Sequence, residues 1–122
     1  SPASALDQGQ RLETAVFNAL RRRTPAVRVG SVCRLLIKEK SKSHEVDFVA
    51  GDALLMRAYS LIQVSVDMAS EKTREREIAA LDASMAQFDL GESTIVTMDE
   101  QADIPCEHGA VHVVPAWKWL LA

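Results

Sequence analysis

Apolar residues recur along this chain in two rhythms. Residues 6–22 follow the helical one, with Val16, Phe17 and Leu20 on one face and Glu13 sharing it. Arg21, Arg22 and Arg23 close the segment, where cations suit the helix dipole, and Pro25 stops it. Residues 31–38 and 45–50 predict two strands joined by the polar, lysine-rich stretch 39–44, with Gly51-Asp52 as the following turn. The β-branched run 58–66 predicts a central strand buried on both faces. Residues 70–88 predict a second helix: Ser70 is its N-cap, Glu71 suits its first turn, and Ile78, Leu81, Met85 and Phe88 form its apolar stripe. Gly91 is the expected stop. Residues 93–98 and 110–114 predict two more strands, and Pro115 opens a short last helix, residues 116–121. The order is αβββαββα. A helical crossover between the third and fourth strands favours a parallel pair, whereas the first three read as antiparallel. The expected fold is α/β (α+β): a three-layer core with a mixed sheet flanked by helices.

Composition narrows this picture little. A chain of 122 residues with 48% hydrophobic and 25% charged residues fits one globular domain. It begins Ser1-Pro2 without an initiator methionine, as expected of a domain excised from a longer protein. No apolar run approaches a membrane span. Cys33 and Cys106 are read as reduced, packed thiols in a cytoplasmic protein. Charge is uneven. Residues 1–61 hold ten Lys/Arg against six Asp/Glu, a net of +4, and residues 62–122 hold four against eleven, a net of −7. Arg21, Arg22, Arg23, Lys38, Lys40 and Lys42 are therefore the candidate phosphate contacts on the basic half, although no aromatic residues interleave them.

Strand alternation assigns the polar residues. Ile62, Val64 and Val66 share one face of the third strand; Leu61, Gln63, Ser65 and Asp67 share the other. Asp47, set between Val46 and Phe48, is a carboxylate in an apolar strand, where unpaired burial is costly. If it points the same way, Asp47, Gln63 and Ser65 converge across adjacent strands, with Glu13 approaching from the first helix.

With these residues in this order, the chain resembles the PD-(D/E)XK, or restriction-endonuclease-like, superfamily. The αβββαβ core matches. Glu13, Asp47, Gln63 and Ser65 fall where that family carries a helix Glu, an acid on the second core strand, and acid-x-Lys on the third. The phrases Glu45-Val46-Asp47-Phe48-Val49, Leu61-Ile62-Gln63-Val64, Thr73-Arg74-Glu75-Arg76-Glu77-Ile78 and Pro115-Ala116-Trp117-Lys118-Trp119-Leu120-Leu121 look like the C-terminal domain of a prokaryotic family of AAA+-like ATP-binding proteins. The resemblance implies that residues 1–122 are one nuclease-like domain behind an N-terminal ATPase module, its partner in the same chain. It implies Mg²⁺ held by Asp47, Gln63 and Glu13. Gln63 and Ser65 depart from the pattern, since neither supplies the charge expected there. The site then reads as degenerate, in a module that binds nucleic acid or a partner with little or no cleavage. The alternative is a Mg²⁺-dependent DNA endonuclease with Gln63 in the metal site and a migrated cation, Lys72 or Arg76.

Other candidates have plainer readings. Cys106, Glu107, His108 and His112 are zinc-type residues without recognisable spacing, so His108 is expected at a turn and His112 on a strand. His44 belongs to a solvated hairpin end. Trp117 and Trp119 are expected to cap the core, with base stacking as the alternative. The alternating charges Glu71, Arg74, Glu75, Arg76 and Glu77 read as a solvated helix face, or as an interface with a partner domain. The sequence has no phosphate-cradling G-x-x-x-x-G-K-[ST] loop, so nucleotide hydrolysis is not expected of these residues.

Overall fold

The computed structural model describes residues 5–23, 32–39, 42–52, 57–66 and 68–122. The elements run α1 (Ala5–Arg23), β1 (Val32–Glu39), β2 (Lys42–Asp52), β3 (Arg57–Val64), α2 (Glu71–Phe88), β4 (Glu92–Thr97), β5 (Ala102–Pro105), β6 (Ala110–Pro115) and α3 (Ala116–Leu121). The strands form a single sheet in the order β1-β2-β3-β4-β6-β5. β1, β2 and β3 are antiparallel, whereas β3–β4 and β4–β6 are parallel, as the α2 crossover requires. The fold is the expected α+β arrangement with one strand more, β5, which the sequence pattern does not predict. Four residues ending in Pro105 give too little alternation to announce a strand. β5 pairs antiparallel with β6 at the sheet edge, where a proline is tolerated. Gly51 and Asp52, read as a turn, are instead the last residues of β2.

Helices cover both faces. On one, Leu12, Val16 and Leu20 of α1 pack on Phe48, Ile62 and Val96. On the other, Leu81 and Met85 of α2 pack on Val46, Leu61, Ile95 and Val111. The buried seam of α1 runs through Leu12, Val16, Ala19 and Leu20 and so is rotated from the expected face. Phe17 sits at its margin, 39% exposed, with its ring tilted against Phe48. Helix α2 starts as expected, the Ser70 Oγ accepting the Thr73 N–H at 3.4 Å. It ends at Phe88 as expected, with Asp89 and not Gly91 as its cap. Asp89 takes the left-handed conformation at φ 55°, which Asp tolerates better than most residues, and the Leu90 N–H returns to the Met85 carbonyl at 2.9 Å. The Pro25 stop of α1 lies outside the described residues.

Gly109 lets the β5–β6 turn approach the α2–β4 loop. The Ala110 N–H donates to the Gly91 carbonyl at 3.0 Å. A Cβ at 109 would run into that carbonyl and stand 2.9 Å from the Met85 Sδ. Gly109→Ala is expected to cost about 1–3 kcal/mol through overpacking, read from denaturant unfolding. A loss under a few tenths would show that the turn yields freely.

Candidate active site

The site begins with an irregularity in β2. Val46 pairs with Leu35 and Val49 with Cys33, so β2 uses three steps where β1 uses two. This is a bulge. It explains why Val46 and Val49 both join the core under α2 while Phe48 packs under α1. The extra residue lies at Asp47–Phe48. On the other side of β2 the pairing is regular from Phe48 to Ala50, with Phe48 opposite Ile62 and Val49 opposite Leu61, and shifts only after Ala50. One step further along, Asp47 meets Gln63.

Asp47 bonds to Gln63 and to its neighbour Val64. The Asp47 N–H donates to Gln63 Oε1 at 2.7 Å, and Asp47 Oδ2 accepts the Val64 N–H at 2.8 Å. Gln63 is buried at 4% exposure, so its amide must be satisfied. Its Nε2 donates to Glu77 Oε2 on α2. Glu77 in turn stands 3.7 Å from the exposed Arg76 guanidinium. Burial pushes the Glu77 carboxyl above its ordinary range; the Gln63 amide pulls it down, the Asp47 charge pushes it up, and Arg76 pulls it down, with a net rise.

Two expected residues, Asp47 and Gln63, therefore meet, and Glu77 joins them. Sequence reasoning assigned Glu77 to a solvated charged face. The missed signal is its spacing: it precedes buried Leu81 by four residues and buried Ser84 by seven, which places it on the inward stripe of α2. Glu13 is half-buried on α1, the helix on the opposite face of the sheet from α2. Ser65 is buried, and its N–H donates to the Val96 carbonyl at 3.0 Å, extending the β3–β4 pairing. Lys72 is exposed in the first turn of α2; Arg76 is the cation that reaches Glu77.

The basic half divides. Arg23 is committed to α3. Its Nη2 donates to the Trp119 and Ala122 carbonyls at 2.7 and 3.0 Å, and its guanidinium lies 4.3 Å from the Trp119 ring centroid. Arg21 and Arg22 are exposed beside it. Lys40 lies outside the described residues, and for Lys38, Lys42, His44 and Cys33 only the backbone is described. Trp119 packs against the core as expected, but Trp117 does not, with 63% of it exposed.

The zinc-type residues form a different arrangement. Cys106 is a free thiol, pushed up by burial and by the Asp82 charge, which disfavours the thiolate a zinc site needs. Asp82, Glu107 and His108 bring one ligand atom each within 4.8 Å of the others. Asp82 Oδ1 accepts the His108 backbone N–H at 2.8 Å and lies 3.3 Å from its Nδ1, which ties the turn to α2. His108 is at a turn and His112 on β6, as expected. Among the described residues no helix is long and apolar enough to cross a membrane. No family model, no curated protein and no solved structure matches the chain.

The raised Glu77 carboxyl has a thermodynamic signature. A folded pKa above the unfolded one stabilises the fold fully below about 4.5, and that contribution disappears as pH rises through the folded value. Glu77→Gln keeps an acceptor for the Gln63 amide and removes the charge. Without metal it is expected to raise Tm at pH 7, read from thermal unfolding of both proteins. It should also flatten the stability decline above pH 4.5. A lower Tm for the variant at pH 7 would contradict this.

Proposed function

We propose that this chain is a nuclease-type domain whose site takes a divalent cation, with Asp47, Glu77 and the Gln63 carbonyl as oxygen ligands. The observation that carries the reading is Glu77. It brings to Asp47 and Gln63 the second carboxylate that the third strand lacks. Two half-buried acids in Coulomb contact, with the exposed Arg76 beside Glu77, suit a hard cation with oxygen ligands. Such an ion, when bound, supplies polarisation of a phosphodiester and an activated water. Asp47 is held for this role by its bond to the Val64 N–H, and Glu77 by the Gln63 amide. Arg76 is the migrated cation of the alternative raised by the sequence; it would steady charge developing on a phosphate. The strand order and the parallel β3–β4 pair agree with a restriction-endonuclease-like core. Resemblance alone supports an ATPase module as the partner in the same chain, and Arg21 and Arg22 as phosphate contacts.

One observation favours the second reading, a binding module without cleavage. Gln63 is hydrogen-bonded at both ends within the domain, and Ser65 brings no cation to the motif.

The test is incubation with supercoiled plasmid and single-stranded oligonucleotides in Mg²⁺ or Mn²⁺, with calorimetric titration of the same metals. Metal-dependent nicking is expected, and Glu77→Gln should bind metal at least ~10-fold more weakly. DNA retention that falls with salt, without nicking, would support the binding module. Neither heat nor nicking at millimolar metal would end the nuclease reading.

A further inference from the structure

The far end of the sheet carries a second ionic arrangement, centred on His112 of β6. Val111 and Val113 point into the core under α2, so His112 projects from the opposite face. Its Nδ1 lies 2.7 Å from Asp103 Oδ1, its direct partner on the edge strand β5. Its Nε2 lies 3.3 Å from Glu92 Oε1 on β4. Both ring nitrogens thus face carboxylates. A neutral imidazole has one N–H and can donate to only one of them, whereas an imidazolium donates to both. The arrangement is complete only with the ring protonated.

We propose that His112 is a proton-operated latch that holds the edge strand β5 to the sheet and loosens as pH rises. β5 has little else to hold it. It is four residues long, among the described residues it pairs only with β6, and Ala102 and Ile104 are its partly buried contacts with the core. The charges around the ring set the sign. β5 brings Asp103 and β4 brings Glu92, the one charged residue in each, while the one charge on α3 is the exposed Lys118. α2 packs on the other face. Both acids favour the cation, the Asp103 hydrogen bond most and the Glu92 bond next, so His112 titrates above its ordinary 6.5. The latch is therefore intact below pH 6.5 and is lost as pH rises through the raised value.

The experiment is an NMR titration of the His112 ring with amide exchange of β5, corrected for intrinsic chemistry, at pH 6 and pH 8.5. His112 is expected to titrate above 6.5 in the wild type and to fall back toward it in Asp103→Asn. The β5 protection factors should drop about two- to five-fold between the two pH values, in line with exposed ion pairs. The drop should vanish in Asp103→Asn, and His108→Gln should leave it in place, which separates the latch from the turn. A His112 titration at or below 6.5 overturns the proposal. So does β5 protection that is the same at both pH values.

Discussion

Replacing Asp47 with alanine is expected to cost about 1.5–3 kcal/mol of stability, the range for a hydrogen bond to a charged group. It should abolish divalent-cation binding at the same time. The stability loss follows from Oδ2, which accepts the Val64 N–H where the β2–β3 ladder gives way to side-chain bonds. Without it that amide is left unsatisfied. The binding loss follows from charge, because Asp47 is one of two acids at the site. Asp47→Asn separates the two effects. An amide carbonyl can still accept from Val64, so most of the stability should return while cation binding stays lost. Removing the Asp47 charge by either substitution should also let Glu77 titrate lower, since Asp47 pushes it up. Chemical denaturation and metal calorimetry on both variants decide the matter. If Asp47→Asn binds metal like the wild type, the assignment of Asp47 as a ligand fails.

The second large effect is in the core. Leu81 is completely buried on the underside of α2, among Val46, Leu61, Met85 and Ile95. Leu81→Ala is expected to cost about 2–5 kcal/mol through lost burial and the cavity left behind. Marginal stabilities make that a large share of the total. Leu81→Met keeps the volume and should cost under about 1.5 kcal/mol. Leu81 follows Glu77 by one turn, so the alanine variant should also weaken metal binding by loosening the helix that carries the acid. The exposed Leu121 provides the contrast: its alanine variant should stay within about 0.5 kcal/mol of wild type. Equal losses at 81 and 121 would mean that the packing of α2 has been misjudged.

Much of the fold was legible because each rhythm was strong where it mattered. Ile62 and Val64 against Leu61 and Gln63 gave the two faces of β3 correctly, and the helix between β3 and β4 gave their parallel pairing. What stayed hidden was set by tertiary contacts. The seam of α1 runs through Leu12, Val16, Ala19 and Leu20, a second apolar stripe at helical spacing that overlaps the expected one at Val16 and Leu20, so periodicity alone did not decide between them. Asp89 ended α2 before the glycine could. Glu77 was concealed by alternating charge: Arg74, Glu75 and Arg76 are solvated as expected, and only the fourth member of the run turns inward. The meeting of Asp47 with Gln63 was anticipated from alternation, but the bulge that turns Val46 toward the same layer leaves no mark in composition or spacing.

That surplus residue has a wider consequence. A straight strand would have to send Val46 and Asp47 in opposite directions, supplying either grease to one layer or charge to it. With one residue looped out of step against β1, the same strand does both within two positions and stays in register with β3 from Phe48 to Ala50. Single-residue deletions at 47–48 should therefore be far more harmful than their size implies, because everything upstream in β2 would turn over like a flipped card.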